Sequence, residues 1–176
     1  MTAAETMRLP LPRWVYTPGG ALPPDEAVLA HAKALVPQRF DRCVPQDHPA
    51  LAYALALNDA GFFWEAHEIL EAVWRAAPQG GRDRILLRAC IQIANAGLKH
   101  RLGRLRAVAR LLAEAQAELD ELALRENTPH GAGFADGYPV AKLRQRLALM
   151  IAAAGPGTGW MTLGPDQDMM QKNASF

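Results

Sequence analysis

A predicted helix over residues 62–76 carries four acid–base side chains in one short run. They are Glu65, His67, Glu68 and Glu71. Because each helical residue turns by ~100°, His67 and Glu71 lie ~40° apart, one turn above the other. Two donors at positions i and i+4 are the arrangement with which H-E-x-x-H helices hold a metal ion. The pattern predicts a divalent metal (zinc, manganese or iron) on His67 and Glu71, with Glu68 as the general base.

A third metal ligand would have to come from elsewhere in the chain. His100, at the far end of the following helix, is the candidate. Without a metal, the same carboxylates and His67 could form an acid–base pair whose pKa values are shifted by burial. A Ser-His-Asp triad is disfavoured, since the single serine of the chain is Ser175, near its C-terminus.

A purely structural interpretation, a hydrogen-bonded polar network between two antiparallel helices, is the one that we favour over the metal site and the acid–base pair. If the helix predicted at residues 82–102 folds back on the preceding one, Arg88 comes near Glu71, and Gln92 comes near Glu65 or Glu68. Partly buried carboxylates need such partners, because leaving one unpaired costs several kcal/mol. The predicted polar cluster therefore has six members: Glu65, His67, Glu68, Glu71, Arg88 and Gln92.

Six helices are predicted to position these residues. Apolar residues at helical spacing, with Pro and Gly at the ends, place them at residues 25–36, 49–60, 62–76, 82–102, 104–122 and 140–154. Residues 127–137, rich in Gly and Pro, are predicted to form a loop, and no strand is predicted. The fold class is therefore all-α: a single-domain bundle of five to six helices within residues 1–176. An extended N-terminal arm (1–24) precedes the bundle (25–154), and an irregular tail (155–176) follows it.

The length and composition are typical of one ordinary folded domain. The chain has 176 residues, half of them hydrophobic, and a net charge of +1 from 19 Lys and Arg against 18 Asp and Glu. This balance argues against a generally basic nucleic-acid binder. Two cysteines, Cys43 and Cys90, form no CxxC pair and indicate neither a disulfide framework nor a cysteine zinc site. No signal peptide or membrane span is predicted, so we expect a cytoplasmic location.

The charges are unevenly distributed along the chain. Nine Lys and Arg residues and one acid lie within residues 75–110, and five acids follow within residues 111–126. A helical hairpin that turns at Gly103 would bring these segments together, so nucleic-acid binding is disfavoured. The side chains expected to meet are Arg84, Arg88, Glu118 and Glu121. The basic residues that stay exposed near the turn predict a small anion site: Lys99, Arg101, Arg104 and Arg106.

A longer pattern around the cluster carries a resemblance to a known family. It reads Asn58-x-Ala60-Gly61-x-Phe63-x-Glu65-Ala66-His67-Glu68-x-Leu70-Glu71-x-x-Trp74-Arg75 and continues in Gln92-Ile93-Ala94-x-Ala96-x-Leu98-Lys99-His100-x-x-Gly103. With the opening Tyr16-Thr17-Pro18-Gly19, these motifs resemble the helical family called domain of unknown function 309, over about residues 14–122. The resemblance implies a compact all-α bundle of a type sometimes labelled a metal-dependent hydrolase. It makes five residues candidates for a shared site: Glu65, His67, Glu68, Glu71 and Gln92.

The function expected from these features is that of a binding or assembly module with a Glu/His cluster on its 62–76 helix. The long termini carry Trp14, Tyr16 and Trp160, which are expected to be exposed and so to favour a homo-oligomer, most simply a dimer. A metal-dependent hydrolase is the first alternative, and a binder of a small anionic ligand is the second. No membrane or nucleic-acid partner is expected.

Overall fold

The computed structural model describes residues 9–125, 133–153 and 159–164 and shows seven helices within them. Their bounds are α1 (Glu26–Ala34), α2 (Pro49–Asp59), α3 (Phe63–Ala76), α4 (Arg82–Arg101), α5 (Leu105–Leu124), α6 (Phe134–Gly137) and α7 (Val140–Ala152). The described residues form no strand, and one isolated bridge joins Pro45 and Gly133. The all-α prediction is confirmed, since the six predicted helices correspond to α1–α5 and α7. Most of the predicted tail and the first eight residues of the predicted arm lie outside the described residues.

Helix α4 is the centre of the bundle and packs between α3 and α5. Its contact with α3 depends on Gly97, because a Cβ atom there would lie 2.8 Å from the ring of Phe63. Toward α4, α5 presents a buried stripe at helical spacing: Val108, Leu111, Leu112, Ala115, Leu119 and Leu122. Short turns at residues 77–81 and 102–104 join the three helices, so neighbours run antiparallel.

Two helices end at a glycine, as predicted from the Gly residues at the helix ends: α2 is followed by Gly61 and α4 by Gly103. Both glycines have positive φ, +85° and +68°, which only glycine adopts without strain. After α2, the Gly61 N–H donates to Asn58 and the following N–H donates to Leu57, which is the Schellman pattern. The same pattern closes α4 at Gly103. These caps set the sharp reversals that place α3 against α2 and α5 against α4.

Helix α6 lies inside the segment predicted as a loop, so that prediction is wrong at residues 134–137. The buried carboxylate of Asp83 explains the difference. Its Oδ1 accepts the N–H of Ala135 at 2.8 Å, and its Oδ2 accepts the N–H of Val44 at 2.7 Å. Gly133 allows this approach, because a Cβ atom there would come within 2.8 Å of the carboxylate. Tertiary hydrogen bonds therefore order a helical turn that the local residue types do not favour.

Asp83→Ala is expected to lower the free energy of unfolding by about 3 kcal/mol, because two backbone N–H groups lose a carboxylate acceptor in the interior. Urea unfolding followed by circular dichroism measures the change. Asp41→Ala, at an exposed acid in the loop before Val44, is the control and should cost less than about 0.5 kcal/mol. Equal effects of the two substitutions would contradict the role given to Asp83.

The basic and acidic segments meet along α4 and α5. Arg88 Nη2 lies 2.7 Å from Glu118 Oε1, which confirms that predicted pair. Arg84 has different partners: its guanidinium lies 3.9 Å from the centre of the Trp74 ring and donates to the carbonyls of Trp74 and Ala77. Carbonyls at a helix C-terminus attract a cation in this way, so Arg84 caps α3.

The longest helices are amphipathic rather than uniformly apolar. Helices α4 and α5 have 20 residues each, and both carry charged side chains along their length. Within the part of the chain that the structure describes, no helix has both the length and the apolar character that crossing a bilayer requires.

Candidate functional site

The four acid–base side chains of α3 leave the helix in different directions. Glu65 and His67 are two residues apart and therefore point about 160° away from each other. Glu65 is 0% exposed, whereas His67, Glu68 and Glu71 are half-buried. The predicted cluster is thus divided into an inner site at Glu65 and a partly exposed site around His67.

Glu65 binds a backbone amide of the N-terminal arm. Its Oε1 accepts the N–H of Tyr16 at 3.3 Å, across 49 residues of sequence. Its Oε2 is buried and has no hydrogen-bond partner among the described residues. Burial raises the pKa of Glu65, while the hydrogen bond from Tyr16 and the charge of Arg101 act in the opposite direction. An ionised carboxylate only accepts hydrogen bonds, so Glu65 is suited to bind N–H groups such as that of Tyr16.

Two further side chains bind the arm beside Glu65. The hydroxyl of Tyr53, on α2, donates to the carbonyl of Pro10 with an O–O distance of 2.5 Å. The ring of Trp64 packs edge-on against that of Tyr16, with centroids 4.6 Å apart. Burial, with a smaller contribution from Glu65, raises the pKa of Tyr53 to about 12, so its hydroxyl is a donor at neutral pH. We refer to Tyr53, Trp64 and Glu65 together as the arm-binding face.

The arm reverses direction after Tyr16 and is held on its return by two contacts. The indole N–H of Trp14 donates to the carbonyl of Pro23 at 2.7 Å. Arg13 Nε lies 3.1 Å from Asp25 Oδ2, immediately before α1, and this hydrogen bond lowers the pKa of Asp25. The described arm is therefore an extended segment bound to its own chain.

The aromatic residues of the termini pack on the same chain. Trp14 and Tyr16 are half-buried in the contacts above, and Trp160 is half-buried against Phe63 and His100. The expectation that these three side chains are exposed is wrong, because each finds a partner on the arm or the bundle.

The described part of the tail is bound to the end of α2. The Asn58 side-chain amide donates to the carbonyl of Met161 at 3.0 Å. The Asp59 carboxylate accepts the N–H groups of Leu163 at 2.5 Å and Gly164 at 2.8 Å. The sequence pattern includes Asn58, but it does not predict that this residue and its neighbour bind the tail.

His67, Glu68 and Glu71 form the partly exposed site. His67 Nε2 lies 3.5 Å from Glu71 Oε1, and its Nδ1 lies 3.9 Å from Glu68 Oε1. Lys33 of α1 binds Glu68 at 2.8 Å, and Arg75 pairs with Glu71. Burial lowers the pKa of His67 below its ordinary value, and the charges of Glu71 and Glu68 act in the opposite direction.

A metal centre on His67 and Glu71 would need at least one more ligand. The predicted third ligand, His100, stacks on Trp160 with centroids 5.5 Å apart. Within residues 9–125, 133–153 and 159–164, no group of three or more His, Cys, Asp or Glu side chains is placed to hold a metal ion. The predicted base, Glu68, is paired with Lys33. The described residues therefore do not fit the metal centre that the hydrolase label implies.

Protein purified without a His tag is expected to contain less than one equivalent of zinc, manganese or iron, because this ligand set is incomplete. Elemental analysis measures the content, and EDTA is expected to leave the Tm unchanged. His67→Ala and His31→Ala, the latter at an exposed position of α1, should bind metal alike. A stoichiometric metal that His67→Ala loses and His31→Ala keeps would contradict this expectation.

Arg88 and Gln92 face α5 rather than α3, which corrects the prediction that they pair with the carboxylates of α3. Arg88 binds Glu118, and the side-chain amide of Gln92 donates to Glu114 at 2.7 Å. The reason is the rotation of α4 about its axis. Gly97 faces α3, and Arg88 and Gln92 lie about 180° and 140° from it around the helix.

The basic residues of the predicted anion site have two different environments. The Arg101 guanidinium lies 4.7 Å from the centre of the Phe63 ring. Its positive charge also acts on Glu65, where it lowers the pKa of the carboxyl against the larger effect of burial. Lys99 is half-buried in α4, whereas Arg104 and Arg106 are exposed at the start of α5. Anion binding at these four residues stays a prediction.

Tyr53 is the functional residue that sequence reasoning missed. A tyrosine in an apolar helix is typical of a core residue, and nothing in the periodicity of α2 singles it out. Its partner, Pro10, lies outside the opening motif at residues 16–19, and Tyr53 itself lies outside the α3 pattern. No motif of the sequence therefore points to this contact.

The fold and the site define a helical bundle in which one motif helix binds an N-terminal segment. Over residues 51–111, the chain matches the family model described as Domain of unknown function (DUF309). This segment runs from α2 through α3 and α4 into α5 and includes all four acid–base residues of α3. The resemblance stated from the residues is confirmed over this segment. No curated protein and no solved structure matches the chain.

Proposed function

We propose that the chain is a binding module whose arm-binding face holds an extended, proline-rich peptide segment. In the structure that segment is the chain's own arm. The observation that carries the proposal is the hydrogen bond from the Tyr16 amide to the fully buried carboxylate of Glu65. A carboxylate is costly to bury, so one placed against a distant backbone amide indicates a binding role.

The chemistry of the face matches that of a peptide segment. The Glu65 carboxylate accepts a backbone N–H, and the Tyr53 hydroxyl donates to a backbone carbonyl. Trp64 supplies an aromatic surface. Proline-rich segments are already extended in solution and lose little conformational entropy on binding, and other peptide-binding domains recognise them with aromatic residues in this way.

We place this module in the cytoplasm. Its cysteines, Cys43 and Cys90, are free thiols, which suits a reducing compartment.

The proposal is tested by offering the arm to the full chain as a separate peptide. The intact arm competes from the same chain at an effective concentration on the order of mM. The Arg13→Ala/Trp14→Ala variant removes the side-chain return contacts, keeps the backbone hydrogen bond from residue 13 to Asp25, and leaves the arm-binding face intact. A fluorescein-labelled peptide of residues 9–24 is expected to bind this variant about tenfold more tightly than it binds the wild type, in fluorescence anisotropy.

Two substitutions of Glu65 in that variant are the matched controls. Glu65→Gln keeps an oxygen acceptor, whereas Glu65→Met keeps the volume and loses the acceptor. Binding of the peptide is expected to persist with Gln and to weaken about tenfold with Met. Equal binding by the two variants, or no saturable binding to their parent, would overturn the proposal.

A further inference from the structure

We infer that the arm of one copy binds the arm-binding face of a second copy, so that two chains form a dimer by reciprocal exchange of arms. The inference rests on the proposed function and names its partner. The arm is the segment that the structure shows fitted to this face, and every copy carries both an arm and a face.

The turn at residues 17–20 has the properties of a hinge. Within the described arm it is closed by a backbone hydrogen bond from Gly20 to Thr17, at 2.8 Å. Gly19 adopts φ +82°, and no described atom lies within 4 Å of its Cβ position. Residues 18–23 are exposed. Opening the turn itself breaks this one hydrogen bond. The contacts of Trp14 with Pro23 and of Arg13 with Asp25, which join the two sides of the turn, open with it and would form again between copies.

Exchange preserves the contacts that hold the arm. The hydrogen bonds of Tyr16 to Glu65 and of Tyr53 to Pro10 would form between copies instead of within one. The two states then differ by the opened turn and by the entropy of association. Four extended residues span about 13 Å, which lets the arm cross to a neighbouring bundle.

The outer side of the arm points to a second copy as the occupant. Along residues 11–16, exposed and covered positions alternate, as expected for an extended segment. Leu11, Val15 and Leu22 are exposed by 51, 43 and 54%. Leu11 and Val15 lie on the same outer side of the extended segment, and Leu22 follows the turn. Exposed apolar side chains on one side of a segment offer a surface that a partner can cover. Two arms that cross beside each other in an exchanged pair would cover them.

Sedimentation equilibrium tests the exchange on the full chain. The average mass of the wild type is expected to rise toward that of two chains as the concentration approaches about 1 mM, the effective concentration of a short linker. Tyr53→Phe/Glu65→Met, which weakens the face, should stay monomeric. Tyr16→Pro, which removes the amide donor from the arm and lies outside the bundle, should also stay monomeric.

A mixture of these two variants tests binding of an arm between copies. The first has an intact arm and the second has an intact face, so their equimolar mixture is expected to form a dimer held by one arm, which neither variant forms alone. Only the wild type can exchange both arms. Thermal melts confirm that each variant is folded. A wild type that stays monomeric, or a dimer that the face variant leaves unchanged, overturns the exchange. If the labelled peptide binds in that case, the proposed function stands and the exchange alone fails.

Discussion

Glu65→Met is expected to stabilise the bundle at neutral pH while it releases the arm. Burial raises the pKa of Glu65, which means that the ionised carboxylate is less stable in the folded chain than in water. One oxygen of this buried carboxylate has no partner, and a buried polar group without a hydrogen bond costs about 1–3 kcal/mol, which an apolar side chain of similar volume avoids. The same change removes the acceptor of the Tyr16 amide, so the arm loses its hydrogen bond to α3.

The gain in stability should depend on pH with a definite sign. Because the pKa of Glu65 is higher in the folded chain than in the unfolded chain, the folded state binds the proton more tightly. The contribution of this group to stability is therefore fully present below its unfolded pKa and decreases as the pH rises through the folded value. The advantage of Glu65→Met over the wild type should grow as the pH rises from acidic values to neutrality.

Glu65→Gln is the control, because it removes the same charge and keeps an oxygen for the Tyr16 amide. It should also lose the pH dependence, yet the arm should stay bound. Urea unfolding across this pH range measures the stability, and limited proteolysis within residues 9–24 reports release of the arm. If the stability difference between the wild type and both variants does not change with pH, burial of the Glu65 carboxylate does not cost the folded state free energy, which would contradict this prediction.

Gly97→Val is expected to destabilise the fold by about 3 kcal/mol, because it forces α3 and α4 apart. A Cβ atom at Gly97 already lies within 2.9 Å of three ring atoms of Phe63, closer than real Cβ contacts allow. Valine adds two methyl groups to that overlap. Ala109→Val, at an exposed position of α5, is the control and should cost well under about 1 kcal/mol.

A double-mutant cycle separates this clash from the general cost of valine in a helix. Phe63→Ala removes the ring and leaves space, so Gly97→Val should be less destabilising in that variant than in the wild type. A favourable coupling energy of about 1 kcal/mol or more is expected from urea unfolding of the four proteins. Additive effects would show that the two positions do not compete for the same space.

The helices were predictable because the spacing of apolar residues and the residues at the helix ends are local features of the sequence. Apolar residues at helical spacing mark α5, and Gly61 and Gly103 end α2 and α4 where only positive φ continues the chain. The pattern on α3 also placed Glu65 among the candidate site residues. These features depend on neighbours within a few residues, which is the range over which sequence patterns carry information.

The partners of the α3 residues could not be predicted, because they depend on how helices rotate and on contacts between distant segments. Arg88 and Gln92 were predicted to pair with the carboxylates of α3. The close approach of α4 to α3 at Gly97 instead turns both side chains toward α5. Glu65 binds an amide 49 residues away. Helix α6 escaped prediction for the same reason, since Asp83 orders it through space.

The hydrogen exchange rate of the Tyr16 amide, measured by NMR, tests most directly whether Glu65 binds the arm. In the wild type and in Glu65→Gln this amide is expected to be protected, because each side chain offers an oxygen acceptor. In Glu65→Met its protection should fall about tenfold, the equivalent of ~1.4 kcal/mol, while amides in α4 keep theirs. Equal protection of the Tyr16 amide in all three proteins would contradict a role of Glu65 in holding the arm.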